Sequence, residues 1–176
     1  LYSGNPAVSS QQEGKTMGRI YSISYTGTIT ASGGNADLLE LTPADDKPVK
    51  LRGFMLSQIS EVGDAAEEGL RITVQRFPAT VTSGNGTAVT GQSPDSAQSA
   101  AGFAAECNGA TVATTSGTAI VLQELGWNIR NSPYEWWAPD ADFAPKAKQG
   151  EALIVRLETT AADDFTGCFT FWVEEE

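Results

Sequence analysis

"RIYSISYTGTIT", residues 19–30, decides how the rest of the chain reads. Tyr21, Ile23, Tyr25 and Ile29 fall on one side of a two-residue period, and Ser22, Ser24, Thr26 and Thr28 fall on the other. Successive side chains of a strand point to opposite sides, so this alternation describes a strand with one buried face and one wet face.

Working outward, the pattern recurs. "DLLELT" (37–42) is a second strand, closed by Pro43. "VKLRGFMLSQIS" (49–60) is a third, with Val49, Leu51 and Met55 facing one way and Gly53 marking a bulge or a close backbone approach. "GLRITVQRF" (69–77) is a fourth, with Leu70, Ile72 and Val74 inward and Arg71, Thr73 and Gln75 outward. "TAIVLQELGWNIR" (118–130) reads as two strands, or one bent at Gly126. "SPYEWWAPDADFAPKAKQG" (132–150) is an extended loop or edge segment. "EALIVRLETT" (151–160) and "TGCFTFWVEEE" (166–176) are two more strands. Their short link predicts an antiparallel hairpin ending in three exposed glutamates. Residues 79–117 are rich in Ala, Thr, Ser and Gly and read as a long surface excursion. Ser93 as a cap, Pro94 at the first helical position and the following alanines predict one short helix within 93–106. The expected fold is all-β: an antiparallel β-sandwich, jelly-roll-like, formed by residues 17–176 as one domain. Residues 1–16 lack periodicity and read as an N-terminal arm or a processed leader, held by this domain or by a neighbouring subunit.

Composition narrows the function. Of 176 residues, 11 are basic and 22 acidic, a net charge of −11 that repels phosphate backbones, so nucleic acid is not an expected partner. No apolar run approaches the roughly 20 residues of a transmembrane helix, and no membrane partner is expected. The chain has no histidine. Ser-His-Asp and Cys-His catalysis and the usual zinc sites are thereby removed. Cys107 and Cys168 show no metal-type spacing. Cys168 reads as a small buried hydrophobe and Cys107 as part of a flexible segment, with a disulfide between them not favoured.

The remaining candidates are carboxylates and aromatics. Glu61, Asp64, Glu67 and Glu68 crowd the link between the third and fourth strands. Their spacing lacks the alternation of a calcium loop, so they read as a charged connector. Asp140 and Asp142 form a D-x-D fragment that suits a loop. Glu135 beside Trp136 and Trp137 is the one place where an acid meets large aromatics. Interfaces are enriched in such aromatics. The expected interface residues are therefore Tyr134, Trp136 and Trp137, joined by Leu1 and Tyr2 of the arm, with no catalytic, cofactor or metal residues.

Several segments carry a resemblance: "MGRIYSISYTGTITA", "DLLELTPADDKPVKLRGFMLSQISEVGDAAEEGLRI", "AAGFAAECN", "WNIR" and the terminal "FWVEE". Their order resembles a family of small proteins encoded by tailed bacteriophages and prophages. The resemblance covers most of 17–176. It implies a non-enzymatic virion protein, a capsid decoration or cement protein located in the virion. Its partners would be the major capsid protein, other virion proteins and its own copies, with a trimer favoured. The alternative expectation is a carbohydrate-binding or receptor-binding tail module in which Tyr134, Trp136 and Trp137 stack on sugar rings. That alternative requires both tryptophans to face solvent along one groove. A carboxylate enzyme built on Glu135 with Asp140 or Asp142 ranks last.

Overall fold

The computed structural model describes residues 18–31, 34–60, 69–131 and 133–176. The alternation of residues 19–30 becomes strand β1 (Arg19–Ile29), with Tyr21, Ile23 and Ile29 buried and the serines and threonines between them on the other face. It is followed by β2 (Ala36–Thr42), β3 (Val49–Gln58), β4 (Gly69–Phe77), β5 (Val81–Thr82), β6 (Thr87–Val89), β7 (Ala104–Cys107) and β8 (Thr114–Thr115). Then come β9 (Ile120–Asn128), β10 (Tyr134–Trp137), β11 (Lys146–Ala147), β12 (Ala152–Leu157) and β13 (Phe165–Glu175).

All strand pairings among the described residues are antiparallel. The first sheet runs β1-β13-β3-β10, with β11 also on β3; the second runs β6-β7-β2-β12-β4-β9; β5 and β8 form a separate pair. The longer strands obey one rule. Taking β1, β2, β3, β4, β9, β10, β12 and β13 in chain order, the first pairs the last, the second the seventh, the third the sixth and the fourth the fifth. The pattern is one long hairpin, rolled so that β13 also meets β3 and β12 also meets β4. The two sheets share a single core, in which Tyr21, Phe54, Phe171 and Val173 of the first lie with Leu39, Ile72, Trp127 and Val155 of the second. The Trp127 and Phe165 rings meet edge-on at 5.9 Å across this interior.

Several expectations need correction. Among the described residues there is no α-helix, and 93–106 does not form one. Its polar start closes short local turns instead. Ser93 Oγ accepts from the Asp95 N–H, Asp95 Oδ1 accepts from the Ala97 N–H, and Gln98 N–H donates to the Asp95 carbonyl. Side chains that bond their own backbone compete with helix. Beyond Gly102 the chain is taken into β7, which pairs with β2.

The last two strands are not a hairpin. β12 lies between β2 and β4, and β13 between β1 and β3, so "AADDF" carries the chain from one sheet to the other. Nor are the terminal glutamates all exposed. Glu174 and Glu175 are buried: Arg52 donates to Glu174 at 2.6 Å and Gly102 N–H to Glu175 at 2.8 Å. Glu176 is held by Lys50 and Lys146.

In β3 the register shifts opposite Trp172 and Val173, leaving Arg52 unpaired in the ladder. This bulge reverses the faces. Val49 and Leu51 enter the core before it, Phe54 and Leu56 after it, and Met55 turns outward. Strand β9 is continuous through Gly126; its irregularity is at Leu122, between the residues opposite Val74 and Gln75. The cysteines exchange their expected roles. Cys107 is buried in β7, Cys168 is only partly buried, and both are free.

Candidate functional site

The two sheets differ in what covers their outer faces. Of residues 79–117, β6 and β7 extend the second sheet, while Val81, Ser83, Gly84 and Ala113 from the two ends of the excursion lie over its outer face. Phe77, Ala152 and Ile154 on that face form a small cluster with Ala113 and Val81 of the excursion. Arg156 clamps the arrangement. Its guanidinium donates to Asp37 at 2.6 and 3.0 Å and to the Ala113 carbonyl at 2.8 Å, and it lies 5.4 Å from the Phe77 ring centre. Burial pushes the Asp37 carboxyl up from its ordinary range, against the hydrogen bond and charge of Arg156.

Glu158, just after β12, is the partner of two buried polar residues that periodicity assigns to a wet face. Thr73 and Gln75 are on the outer face as expected, yet both are buried, bonded to each other at 2.7 Å and each to Glu158. Glu40 and Glu106 stand directly opposite on β2 and β7. Ser83 Oγ bridges them at 3.0 and 3.2 Å, and the Gly84 N–H donates to Glu40 at 3.1 Å. Burial raises the Glu40 carboxyl, and the charge of Glu106 adds to that.

The outer face of the first sheet carries the candidate site. Side chains on this face form rows across the strands. In one row Trp137 is opposite Gly53, Gly53 opposite Trp172, and Trp172 opposite Ser22. In the next, Glu135, Met55, Thr170 and Ser24 follow each other, and after that Ser57, Cys168 and Thr26. The Trp137 and Trp172 rings stack at 4.4 Å with 27° between their planes, and Trp137 remains 50% exposed. Gly53 permits this: a Cβ there would stand 2.5 Å from the Trp137 ring and 2.7 Å from the Trp136 carbonyl oxygen. Glu135 lies alongside, its Oε2 3.5 Å from Trp137 Nε1.

Below the aromatic pair the face sinks into a shallow depression of about 200 Å³, lined by Ser24, Thr26, Met55, Ser57, Cys168 and Thr170. Ser24 and Thr170 hydroxyls are 3.4 Å apart, and Ser57 donates to the Cys168 carbonyl at 3.0 Å. The site is therefore an aromatic platform beside a hydroxyl-bearing hollow. It can take up a flat or ring-shaped polar surface, with Glu135 on one side and the Arg52–Glu174 ion pair in the row beyond Trp172.

The sequence-predicted interface residues divide. Trp136 turns inward and stacks on Phe54 at 5.4 Å, and Tyr134 also packs against the core, its hydroxyl pushed up by burial. Only Trp137 faces out. Adjacent residues of a strand must point to opposite sides, so Trp136 and Trp137 never share a groove. Leu1 and Tyr2 lie outside the described residues, as does the acidic loop 61–68. Asp140 builds a turn, accepting from the Asp142 and Phe143 N–H groups at 2.7 and 3.1 Å.

Trp172 was missed by sequence reasoning. Its signal was present: it follows Cys168 and Thr170 on the two-residue period of β13, a large aromatic on the polar side of a strand. Among the described residues no group of three His, Cys, Asp or Glu side chains is placed to hold a metal ion. No family model, curated protein or solved structure matches this chain.

Proposed function

We propose that this protein is a non-enzymatic structural component of a tailed-phage virion, a capsid decoration or cement protein, which binds through the open face of its first sheet. The carrying observation is the Trp137–Trp172 pair, stacked with Trp137 half exposed on the outer face of the first sheet. Exposed aromatics set on a rigid sheet are the usual anchors of protein contacts, since they remove much apolar area from water at little entropic cost. The fold agrees. The pairing of first with last, second with seventh, third with sixth and fourth with fifth is that of a jelly-roll sandwich, an architecture found in viral capsid and lectin domains. The proposed partners are the major capsid protein and further copies of this chain, with a trimer suited to a three-fold position.

The test is binding of the purified protein to empty capsids, with mass spectrometry of virions. Wild-type protein co-sediments with capsids, and Trp137→Ala or Trp172→Ala weakens that binding while the fold is retained. A protein absent from virions and indifferent to capsids sinks the proposal.

The hollow beside the tryptophans supports a second reading, a saccharide-binding module. It moves the sugar platform from Trp136 and Trp137 to Trp137 and Trp172, with the hydroxyls of Ser24, Thr26, Ser57 and Thr170 as hydrogen-bonding partners. Calorimetric titration with host-surface polysaccharide separates the two: heat that disappears in Trp172→Ala favours the sugar, and its absence favours the capsid.

A further inference from the structure

We infer that Glu135 and the free face of the Trp137 ring form a receptor for a basic side chain, an arginine above all, of a protein partner. The inference rests on the reading of the first sheet's outer face as a protein-contact surface. An indole carries negative charge on its two faces and attracts a cation set over the ring. A carboxylate at the ring's edge supplies the counter-charge. A guanidinium is flat enough to stack on the ring while its N–H groups reach the carboxylate.

Both parts are in place. Trp172 covers one face of the Trp137 ring at 4.4 Å. Half of Trp137 stays exposed, and β10 ends its sheet, so the second face of the ring is turned to solvent. Glu135 lies two residues earlier on the same side of β10 and is itself exposed. Its Oε2 is 3.5 Å from Trp137 Nε1, at the edge of the ring.

Charge selects the occupant. The basic side chains of β3 and β11 are already matched: Arg52 by Glu174 at 2.6 Å, and Lys50 and Lys146 by Glu176. The acids of β13 are matched in turn, Glu174 by Arg52 and Glu175 by Lys47 at 3.9 Å. Among the described residues, Glu135 is thus the one acid in the strands of this sheet without a basic partner. Asp140, exposed in the turn after β10, adds negative charge three residues beyond Trp137. The whole chain, at −11, draws basic partners and repels acidic ones, its own copies included.

The test is a titration of the full chain with a short blocked peptide carrying one arginine, followed by NMR at the Trp137 indole N–H. The control is the same peptide with citrulline, which keeps the shape and loses the charge. The arginine peptide should shift the resonance progressively, less so in added salt, and the citrulline peptide should leave it in place. Glu135→Gln should weaken arginine binding about 2- to 5-fold, and Glu135→Lys should abolish it. Both variants alter an exposed side chain, and the remaining resonances report that the fold is kept. No shift, an equal shift with citrulline, or an arginine response that both variants leave unchanged overturns the inference. So does a shift produced by host-surface polysaccharide and not by the arginine peptide. Capsid co-sedimentation is a separate readout. Capsid binding that survives Glu135→Lys overturns the receptor and keeps the virion proposal. Absence of capsid binding beside an intact arginine response removes the virion proposal and keeps the receptor.

Discussion

Gly53 is where two strands and an indole meet, and it sets the shape of the open face. Its missing side chain is the seat of Trp137. Gly53→Ala is expected to lower stability by about 1–3 kcal/mol through overpacking. Trp137→Ala, which removes a half-exposed stacked ring, should cost less, about 0.5–1.5 kcal/mol. Urea unfolding of the two variants gives the order. In the Trp137→Ala background the Gly53→Ala penalty should shrink without vanishing, because the Trp136 carbonyl still obstructs the new Cβ. The two cysteines offer a second test. Burial pushes the Cys107 thiol up to about 12, which keeps it protonated as well as inaccessible at neutral pH. Cys168 lines the hollow of the open face. A thiol-alkylating reagent added to folded protein should modify Cys168 alone, and Cys107 only after unfolding. Peptide mapping by mass spectrometry distinguishes them.

At the scale of elements, bulges and cover decide where side chains point. The bulge at Arg52 turns Phe54 and Leu56 inward and Met55 outward, which simple alternation along β3 does not anticipate. The excursion 79–117 turns the wet face of the second sheet into a polar interior. There like charges on Glu40 and Glu106 are tolerated because Ser83 and Gly84 donate to them. A pH dependence follows. Burial holds the Glu40 pKa above its unfolded value, so the folded state binds the proton more tightly. Stability from this group is complete below the unfolded carboxylate pKa and is lost as pH rises through the folded one. Glu40→Gln lacks that loss. Its melting temperature relative to wild type should therefore rise between acidic and neutral pH, as paired thermal scans at the two conditions can read. A gap that narrows over the same interval would contradict the raised carboxyl.

For the whole molecule, the rolled hairpin makes the ends of the chain interdependent. β13 fills the place between β1 and β3, and its Phe165, Phe169, Phe171 and Val173 are buried in the shared core. Deleting 165–176 should abolish cooperative unfolding altogether, leaving a chain that binds hydrophobic dyes, as dye fluorescence and calorimetry would report. The strands themselves were legible from residues alone. Alternation at 19–30 and 69–77 and the apolar runs at 37–42 and 151–157 need only local chemistry, because a two-residue period states which face is dry. So was the rule that Trp136 and Trp137 face opposite ways, although their shared aromatic character drew attention first. The sequence alone determined an all-β chain without histidine and with a strong negative charge. Only the tertiary structure decided that β12 and β13 part into different sheets, that Trp172 joins Trp137, and that the described residues cover part of one outer face while leaving Trp137 of the other exposed. These outcomes depend on pairings between residues far apart in the chain, and no local pattern of side chains encodes which distant strand will arrive.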